Sequence, residues 1–291
     1  MKRLVTAAVV LAVATTASSA DYPRPDLLVE PTAFARPEAA RFVVLDAREK
    51  AKYTAGHVPG ARWVDHAGWA KGFGDGKDAA GWSERIGALG ITADTPVVVY
   101  DDNRSKDSAR IWWILRYWGV KDVRLLNGGW VGWAAGKRPT ESAEPRFVPA
   151  AFTAVAAPDR LATKDDLLKS LGGGSIQIVD ARSEKEFCGI DAQNNKRAGA
   201  IPGARQLEWI ELIDPATHRF RPPADLAKLF AAAGVRLDRP TATHCQSGGR
   251  AAVMAYGLEL MGAKDVRNYY KSWSEWGNAD DTPVVKPAPK K

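Results

Sequence analysis

The sequence has few of the residues that cross-link small secreted proteins or hold metal ions. Its 291 residues include only two cysteines and four histidines. Two cysteines can form at most one disulfide, which excludes a disulfide-stapled scaffold. No histidine stands at ligand spacing from a cysteine, so we expect neither a metal site nor another cofactor.

The sequence also lacks a basic run interleaved with aromatic residues, although its formal net charge is +7. Acidic residues are spread along the whole chain. This distribution argues against a nucleic-acid partner. A mild positive field of this kind favours the approach of small anions instead.

Residues 1–20 have the composition of a secretory signal peptide. Lys2 and Arg3 form a basic start, and residues 4–14 form an apolar run that is too short to span a bilayer. Ser18 and Ala20 then stand at the −3 and −1 positions of a cleavage site before Asp21. We expect a periplasmic or secreted protein with no membrane association after cleavage, and an uncleaved anchor is the alternative.

The chain contains an internal duplication. Residues 42–48 (Phe-Val-Val-Leu-Asp-Ala-Arg) match 176–182, and the Pro-Gly-Ala-Arg of 59–62 recurs at 202–205. Trp130 and Trp133 correspond to Trp273 and Trp276 at an offset of 143. The first match has an offset of 134, so the second copy carries nine extra residues between Asp180 and Pro202. The period is too long for a solenoid repeat, which indicates two similar domains.

The repeat predicts the domain boundaries and the fold class. We expect domains at 21–139 and 159–285, a Pro-containing linker at 140–158 and a tail at 286–291. Short apolar runs at 42–46, 97–100 and 123–126, repeated at 176–180, 241–244 and 266–269, read as buried strands. Helices are expected at 108–118 and 250–261. Strands alternating with helices predict an α/β fold in which each domain is a parallel sheet with helices on both faces.

The segment Cys245-Gln246-Ser247-Gly248-Gly249-Arg250 stands where a strand should end and a helix begin. Adjacent glycines allow backbone N–H groups to turn inward, and a helix N-terminus adds a positive dipole end. Both effects stabilise an anion, so Cys245 is the predicted nucleophile. The other five residues of the loop are the predicted substrate-binding residues, and Arg250 supplies a fixed positive charge.

The duplicated motifs, with a Cys-x-x-Gly-x-x loop in the second copy alone, resemble those of two-domain rhodaneses, the thiosulfate and 3-mercaptopyruvate sulfurtransferases. The resemblance covers roughly residues 27–283. It implies two tandem rhodanese-like domains and a Cys245 persulfide, with a thiol, a thiol protein or cyanide as acceptor. It also implies a non-catalytic first domain, in which Asp101 or Asp102 replaces the cysteine, depending on the alignment.

Three features of the sequence depart from the pattern of these relatives, and they bear on which sulfur donor the protein uses. The loop Cys245-Gln-Ser-Gly-Gly-Arg250 is neither the Cys-Arg-Lys-Gly nor the Cys-Gly-Ser-Gly type. Glu186 stands where relatives offer a substrate-binding arginine, and Lys185, Lys196 or Arg197 could replace it. Ala200 stands where the first copy has His57 in its Gly-His-Val-Pro-Gly. Because Arg250 adds a cation, the loop favours thiosulfate over 3-mercaptopyruvate.

Two other functions remain open at this point. Phosphatases of this fold use Cys-x5-Arg, and the spacing Cys245-x4-Arg250 is one residue shorter, which favours sulfur over phosphate. A carrier or sensor that holds a persulfide without turnover would use the same cysteine, and sequence does not separate it from an enzyme.

Several polar residues have a structural interpretation. Asp46 with Arg48, and Asp180 with Arg182, are expected to form ion pairs that hold the following loops. Asp46 and His57 match positions proposed for proton transfer in mercaptopyruvate-type relatives, which is the weaker interpretation.

His244 and Cys188 are predicted to take no part in the chemistry. Since neighbouring strand residues point to opposite faces, His244 is a poor candidate for the base of Cys245. Cys188 is expected to be a reduced bystander, held apart from Cys245, and a reversible disulfide between the two cysteines is the alternative.

Overall fold

A computed structural model describes residues 21–35, 40–172 and 174–289. The predicted signal peptide and the last two residues of the predicted tail lie outside the described residues. Two α/β domains follow one another along the chain, as the duplication predicts. Within the described ranges, no helix is both long enough and apolar enough to cross a membrane.

The first domain is built on a parallel sheet of five strands with the order β1-β5-β4-β2-β3. Its strands are β1 (Leu28–Val29), β2 (Val43–Asp46), β3 (Arg62–Trp63), β4 (Val97–Tyr100) and β5 (Val123–Leu126). Its helices are α1 (Lys50–Ala55), α2 (His66–Gly72), α3 (Ala79–Ala88), α4 (Lys106–Tyr117) and α5 (Gly129–Ala135). Short 3-10 turns at Pro25–Leu27 and Pro31–Ala35 precede β2.

The second domain repeats this plan with four parallel strands in the order β7-β6-β8-β9. Its strands are β6 (Gln177–Asp180), β7 (Arg205–Gln206), β8 (Thr241–His244) and β9 (Val266–Asn268). Its helices are α6 (Lys164–Ser170), α7 (Glu184–Phe187), α8 (Pro223–Ala232), α9 (Gly249–Leu260) and α10 (Ser272–Trp276), with 3-10 turns at Pro158–Arg160 and Trp209–Leu212. A single bridge from Leu161 to Asn268 stands where the first domain has β1.

The central strands form where the sequence predicts them because they are short, apolar and covered on both faces. Residues of β4 and β6 are all buried. The predicted strands at 42–46, 176–180 and 266–269 each prove one residue longer than the observed strand, and both long helices start slightly earlier than predicted. These differences affect only the ends of elements, where hydrogen bonding frays.

Helices α4 and α9 pack against each other and join the two domains. All of α9 is buried except Arg250, and α4 buries Trp112, Trp113 and their neighbours. The Trp112 and Tyr256 rings meet edge to face with centroids 4.9 Å apart. A helix that is apolar on all sides must be covered on all sides, and here the other domain supplies part of that cover. The domains therefore share one hydrophobic core.

Chain segments outside the two sheets strengthen this junction. The Tyr22 hydroxyl donates to the Phe220 carbonyl of the second domain at 3.0 Å, and Arg219 forms an ion pair with Glu30 at 2.5 Å. The predicted linker is also held in place, since the backbone of Glu141 pairs with that of His57 in both directions. The segment predicted as a linker is therefore bound along the first domain.

We expect Trp112→Ala to destabilise both domains together. The substitution leaves a cavity at the α4–α9 contact and should lower the free energy of unfolding by about 3–5 kcal/mol. Urea denaturation followed by circular dichroism and by tryptophan fluorescence should give one coincident, shifted transition. Val148→Ala, at a site that is 84% exposed, is the matched control and should change stability little. Two separated transitions would contradict a shared core.

Candidate active site

Cys245 follows the last residue of β8 and precedes α9, at the carboxyl edge of the second sheet. Its side chain is 1% exposed. The backbone N–H of Gly248 donates to its Sγ atom at 3.2 Å. In open parallel sheets this edge is where ligands bind, so Cys245 occupies the position that the strand order favours for a reactive group.

Both glycines of the loop are required by close contacts. Gly248 has a φ of +84°, and a Cβ on it would lie 2.7 Å from the carbonyl oxygen of Tyr270. A Cβ on Gly249 would lie 2.3 Å from a guanidinium nitrogen of Arg110 in the first domain. A larger residue at Gly248 would therefore push the loop away from Tyr270, whereas a larger residue at Gly249 would displace the Arg110 guanidinium.

The first domain contains the same loop with a carboxylate in place of the thiol. The backbone N–H of Trp130 donates to the Asp101 carbonyl at 2.8 Å, and that of Trp273 donates to the Cys245 carbonyl at 2.9 Å. Asp101, rather than Asp102, is therefore the counterpart of Cys245. The Asp102 carboxylate instead forms an ion pair with Lys52 at 2.7 Å.

The Asp101 carboxyl group shows which hydrogen-bond donors this loop provides: burial raises its pKa overall, and the loop N–H groups act in the opposite direction. Its two oxygens accept four backbone N–H groups at 2.7–3.0 Å, those of Asn103, Ser105, Asp107 and Ser108. A carboxylate oxygen is two bonds from Cβ, as is the outer sulfur of a cysteine persulfide. The N–H groups at the start of α9 have no acceptor within the helix. The second domain can therefore hold a persulfide sulfur as the first holds the Asp101 oxygens.

Ser272 is a site residue that the sequence reasoning missed. Its Oγ accepts the backbone N–H of Cys245 at 3.0 Å and lies 4.0 Å from Sγ. It adopts a φ of +54°, a conformation that is unusual for a residue with a side chain. The first copy has Gly129 at the equivalent place, also with positive φ, so the Gly-to-Ser change between copies was the available signal.

Arg250 is held by a carboxylate, which changes its predicted role. Its two terminal nitrogens donate to the Glu186 oxygens at 2.7 and 2.8 Å. Burial raises the pKa of Glu186 and the hydrogen bonds from Arg250 lower it, with a net shift downward. Glu208 is a further acid near this pair, and its pKa is raised, chiefly by burial. Arg250 therefore adds no net positive charge to the loop.

The nine extra residues of the second copy bring a segment against the catalytic loop. The side-chain amides of Gln246 and Asn195 exchange two hydrogen bonds, of 3.0 and 3.1 Å. Arg197 donates to backbone carbonyls of the last turn and tail, including that of Trp276 at 2.8 Å. Arg197 is therefore structural, and it does not replace the missing substrate-binding arginine.

The two Asp-Ala-Arg motifs form the structural ion pairs that were predicted. Asp46 and Arg48 pair at 2.6 Å, and so do Asp180 and Arg182, with every one of these side chains almost fully buried. Both arginines also donate at 2.7 Å to the glycine carbonyl of the following loop. Each motif thus ties a strand end to its loop.

The buried histidines make their contacts away from the thiol. His57 stacks on the Tyr53 ring at 4.1 Å and bonds the Tyr53 carbonyl through Nδ1. His244 lies 3.4 Å from Asp180, and burial lowers its pKa to about 4. A histidine that is neutral at pH 7 and so weakly basic is a poor proton acceptor, which agrees with the prediction for His244.

Cys188 caps the end of α7 and is buried, with its backbone N–H bonded to Glu184. The structure joins neither cysteine in a disulfide. This agrees with the prediction that the two thiols are separate.

A cleft of about 510 Å³ opens between the two domains beside the catalytic loop. Its wall includes Ser247 and Tyr270 from the second domain and Lys71 and Arg110 from the first. The Tyr270 hydroxyl donates to the Ala70 carbonyl at 3.0 Å and fixes the width of the cleft at that point. The first domain therefore supplies one wall of the cleft.

The fold and the site together define a class of protein. Two parallel-sheet domains place one cysteine in a loop that stabilises an anion, and the first copy has an acid in place of that cysteine. The family model for the rhodanese-like domain matches residues 32–136 and again 163–279. The chain belongs to the rhodanese-like family, as its motifs predicted.

Known relatives agree with this membership. The chain is 33% identical over 263 residues to a thiosulfate sulfurtransferase of Pseudomonas aeruginosa, covering 89% of this chain and 96% of the relative. It is 34% identical over 271 residues to a thiosulfate sulfurtransferase of Azotobacter vinelandii, covering 91% and 98%. The crystal structure of SseA from Escherichia coli, described as a 3-mercaptopyruvate sulfotransferase, matches with a TM-score of 0.73 and 26% identity over 85% of this chain and 98% of its own.

The His244 environment predicts an acid-sensitive fold. Its pKa is about 4 in the folded protein, below the unfolded value near 6.5, so unfolding takes up a proton between these values. Stability is therefore full above pH 6.5 and falls by roughly 3 kcal/mol by pH 4 on account of this residue alone. Urea denaturation across this range should show a shallower loss for His244→Gln. Equal pH slopes for both proteins would refute the assignment.

Proposed function

We propose that the protein is a thiosulfate sulfurtransferase that works by double displacement through a Cys245 persulfide. The observation that carries the proposal is the match between the two loops. In the first domain four N–H groups hold the Asp101 carboxylate, and in the second the equivalent loop surrounds a thiol. The names of the curated relatives support the same reaction class.

The first half-reaction forms the persulfide. The Cys245 thiolate attacks the outer sulfur of thiosulfate, and a new S–S bond forms as the bond between that sulfur and the sulfonate breaks. Sulfite leaves with the electron pair of the broken bond. The loop N–H groups stabilise negative charge on the transferred sulfur, and the loop geometry is already in place before substrate arrives.

The second half-reaction regenerates the thiolate. A thiolate or cyanide attacks the outer sulfur of the persulfide, and the S–S bond breaks with its electron pair returning to Cys245. The nucleophile leaves as a persulfide or as thiocyanate. No oxidant or reductant is consumed beyond the donor and the acceptor.

Cys245→Ser should abolish turnover and persulfide formation. Incubation of the unmodified protein with thiosulfate should add about 32 Da to the peptide that contains Cys245, as one sulfur atom requires. Intact-protein and peptide mass spectrometry measure the gain, and Cys188→Ser is the matched control that should retain it. A fully active Cys245→Ser variant would overturn the mechanism, and a single turnover without recycling would identify a carrier.

The Arg250–Glu186 pair predicts a gain of activity rather than a loss. Glu186→Gln removes a negative charge beside the loop and should raise kcat/KM for thiosulfate by about fivefold, equivalent to roughly 1 kcal/mol for one charge in a partly solvated site. The double variant Glu186→Gln/Arg250→Met should return close to the starting value, since it removes a pair of zero net charge. A tenfold or larger loss in the double variant would show that Arg250 itself contacts the donor.

A further inference from the structure

Arg110 of α4 reaches across the domain boundary to the catalytic loop. Its guanidinium lies over Gly249, where a Cβ would approach its nitrogens to 2.3 and 2.9 Å. Its Cζ lies 5.6 Å from the centroid of the Tyr270 ring. Gly249 is the first residue of α9, so a first-domain cation stands beside the helix terminus that faces Cys245.

This cation is not neutralised by a carboxylate. Among the described residues, no acid lies within ion-pair distance of Arg110 or of Lys71, which also lines the cleft. Lys271, another cation of the cleft wall, is paired with Glu275 at 3.4 Å. The cleft wall therefore carries excess positive charge at Arg110 and Lys71.

The surroundings of Arg250 have the reverse character. There the Arg250 charge is balanced by Glu186 at 2.7 Å, and Glu208 adds a further acid. An anion that approaches Cys245 meets net negative charge on that side and net positive charge at the interdomain cleft. The charge distribution thus selects the cleft as the path for an anionic substrate.

We propose that Arg110, assisted by Lys71, forms a subsite in the first domain that binds the oxyanion end of the sulfur donor. This inference rests on the proposed function. The sulfonate of thiosulfate lies against Arg110 while its outer sulfur faces Cys245. After transfer, the same cation holds the departing sulfite. The first domain, whose own loop is occupied by Asp101, contributes a substrate-binding residue to the site of the second.

The shape of an arginine side chain at position 110 suits the binding of an oxyanion. A guanidinium presents parallel N–H groups that match two oxygens of a sulfonate, whereas a lysine presents a point charge. Packing between Gly249 and Tyr270 fixes the guanidinium plane before the donor binds. Substitution by lysine should therefore recover only part of the function.

Steady-state kinetics of a double-displacement enzyme test the subsite, since kcat/KM is obtained separately for donor and acceptor. Arg110→Met should lower kcat/KM for thiosulfate at least tenfold and weaken product inhibition by sulfite. It should leave kcat/KM for the acceptor, measured with a small uncharged thiol, within twofold. Arg110→Lys should be intermediate. Lys264→Met, at the opposite edge of the second sheet, removes one exposed charge elsewhere and should change nothing.

A second sulfur donor, which carries no charge, distinguishes a role of Arg110 in binding the anion from a role of Arg110 in supporting the loop. With an uncharged organic trisulfide (RSSSR), the Cys245 thiolate attacks the central sulfur and expels RS⁻, which leaves Cys245–S–S–SR; a small uncharged thiol then takes the outer SR group as a disulfide and leaves the Cys245 persulfide. Arg110→Met should form this persulfide at the rate of the unmodified protein, as followed by mass spectrometry. Equal losses with thiosulfate and trisulfide would overturn the subsite and assign Arg110 a loop-positioning role. A loss confined to the acceptor would place the subsite's ligand in the second half-reaction, against the proposal. Failure of the unmodified protein to form a persulfide with either donor would instead refute the proposed function itself.

Discussion

The packing of α4 against α9 determines what surrounds the catalytic cysteine. Each helix begins at the anion-stabilising loop of its own domain, so their contact places each loop beside the other domain. The same contact buries Trp112 and Tyr256 in a shared core and carries Arg110 to Gly249. A rigid junction is required because the cleft beside Cys245 has one wall from each domain. The contact between α4 and α9 therefore both joins the two domains and sets the position of the cleft between them.

The two copies show how one fold serves structure in one domain and chemistry in the other. Both keep the buried Asp-Arg pair that ties a strand to its following loop. They differ in the group at the strand end. The Asp101 carboxylate satisfies four N–H groups permanently and leaves the loop closed to ligands. The Cys245 thiol instead accepts the single N–H group of Gly248, at 3.2 Å.

Charge around the catalytic loop is divided between the domains. Within the second domain Glu186 holds Arg250, so the loop motif alone is close to neutral. Arg110 and Lys71 of the cleft wall, which form no ion pair among the described residues, come from the first domain. The first domain therefore contributes positively charged side chains to the wall of the cleft.

The amino-acid sequence by itself determined the two domains, the parallel sheets, the strand that ends at Cys245 and the Asp-Ala-Arg ion pairs. Each of these follows from apolar periodicity, glycine placement and repetition, which act over a few residues. Only the tertiary structure decided which distant residues come into contact. Glu186 reaches Arg250 across 64 positions, Ser272 reaches Cys245 across 27, and Arg110 meets Gly249 from another domain. Such pairings depend on how folded elements pack, and sequence spacing carries no record of them.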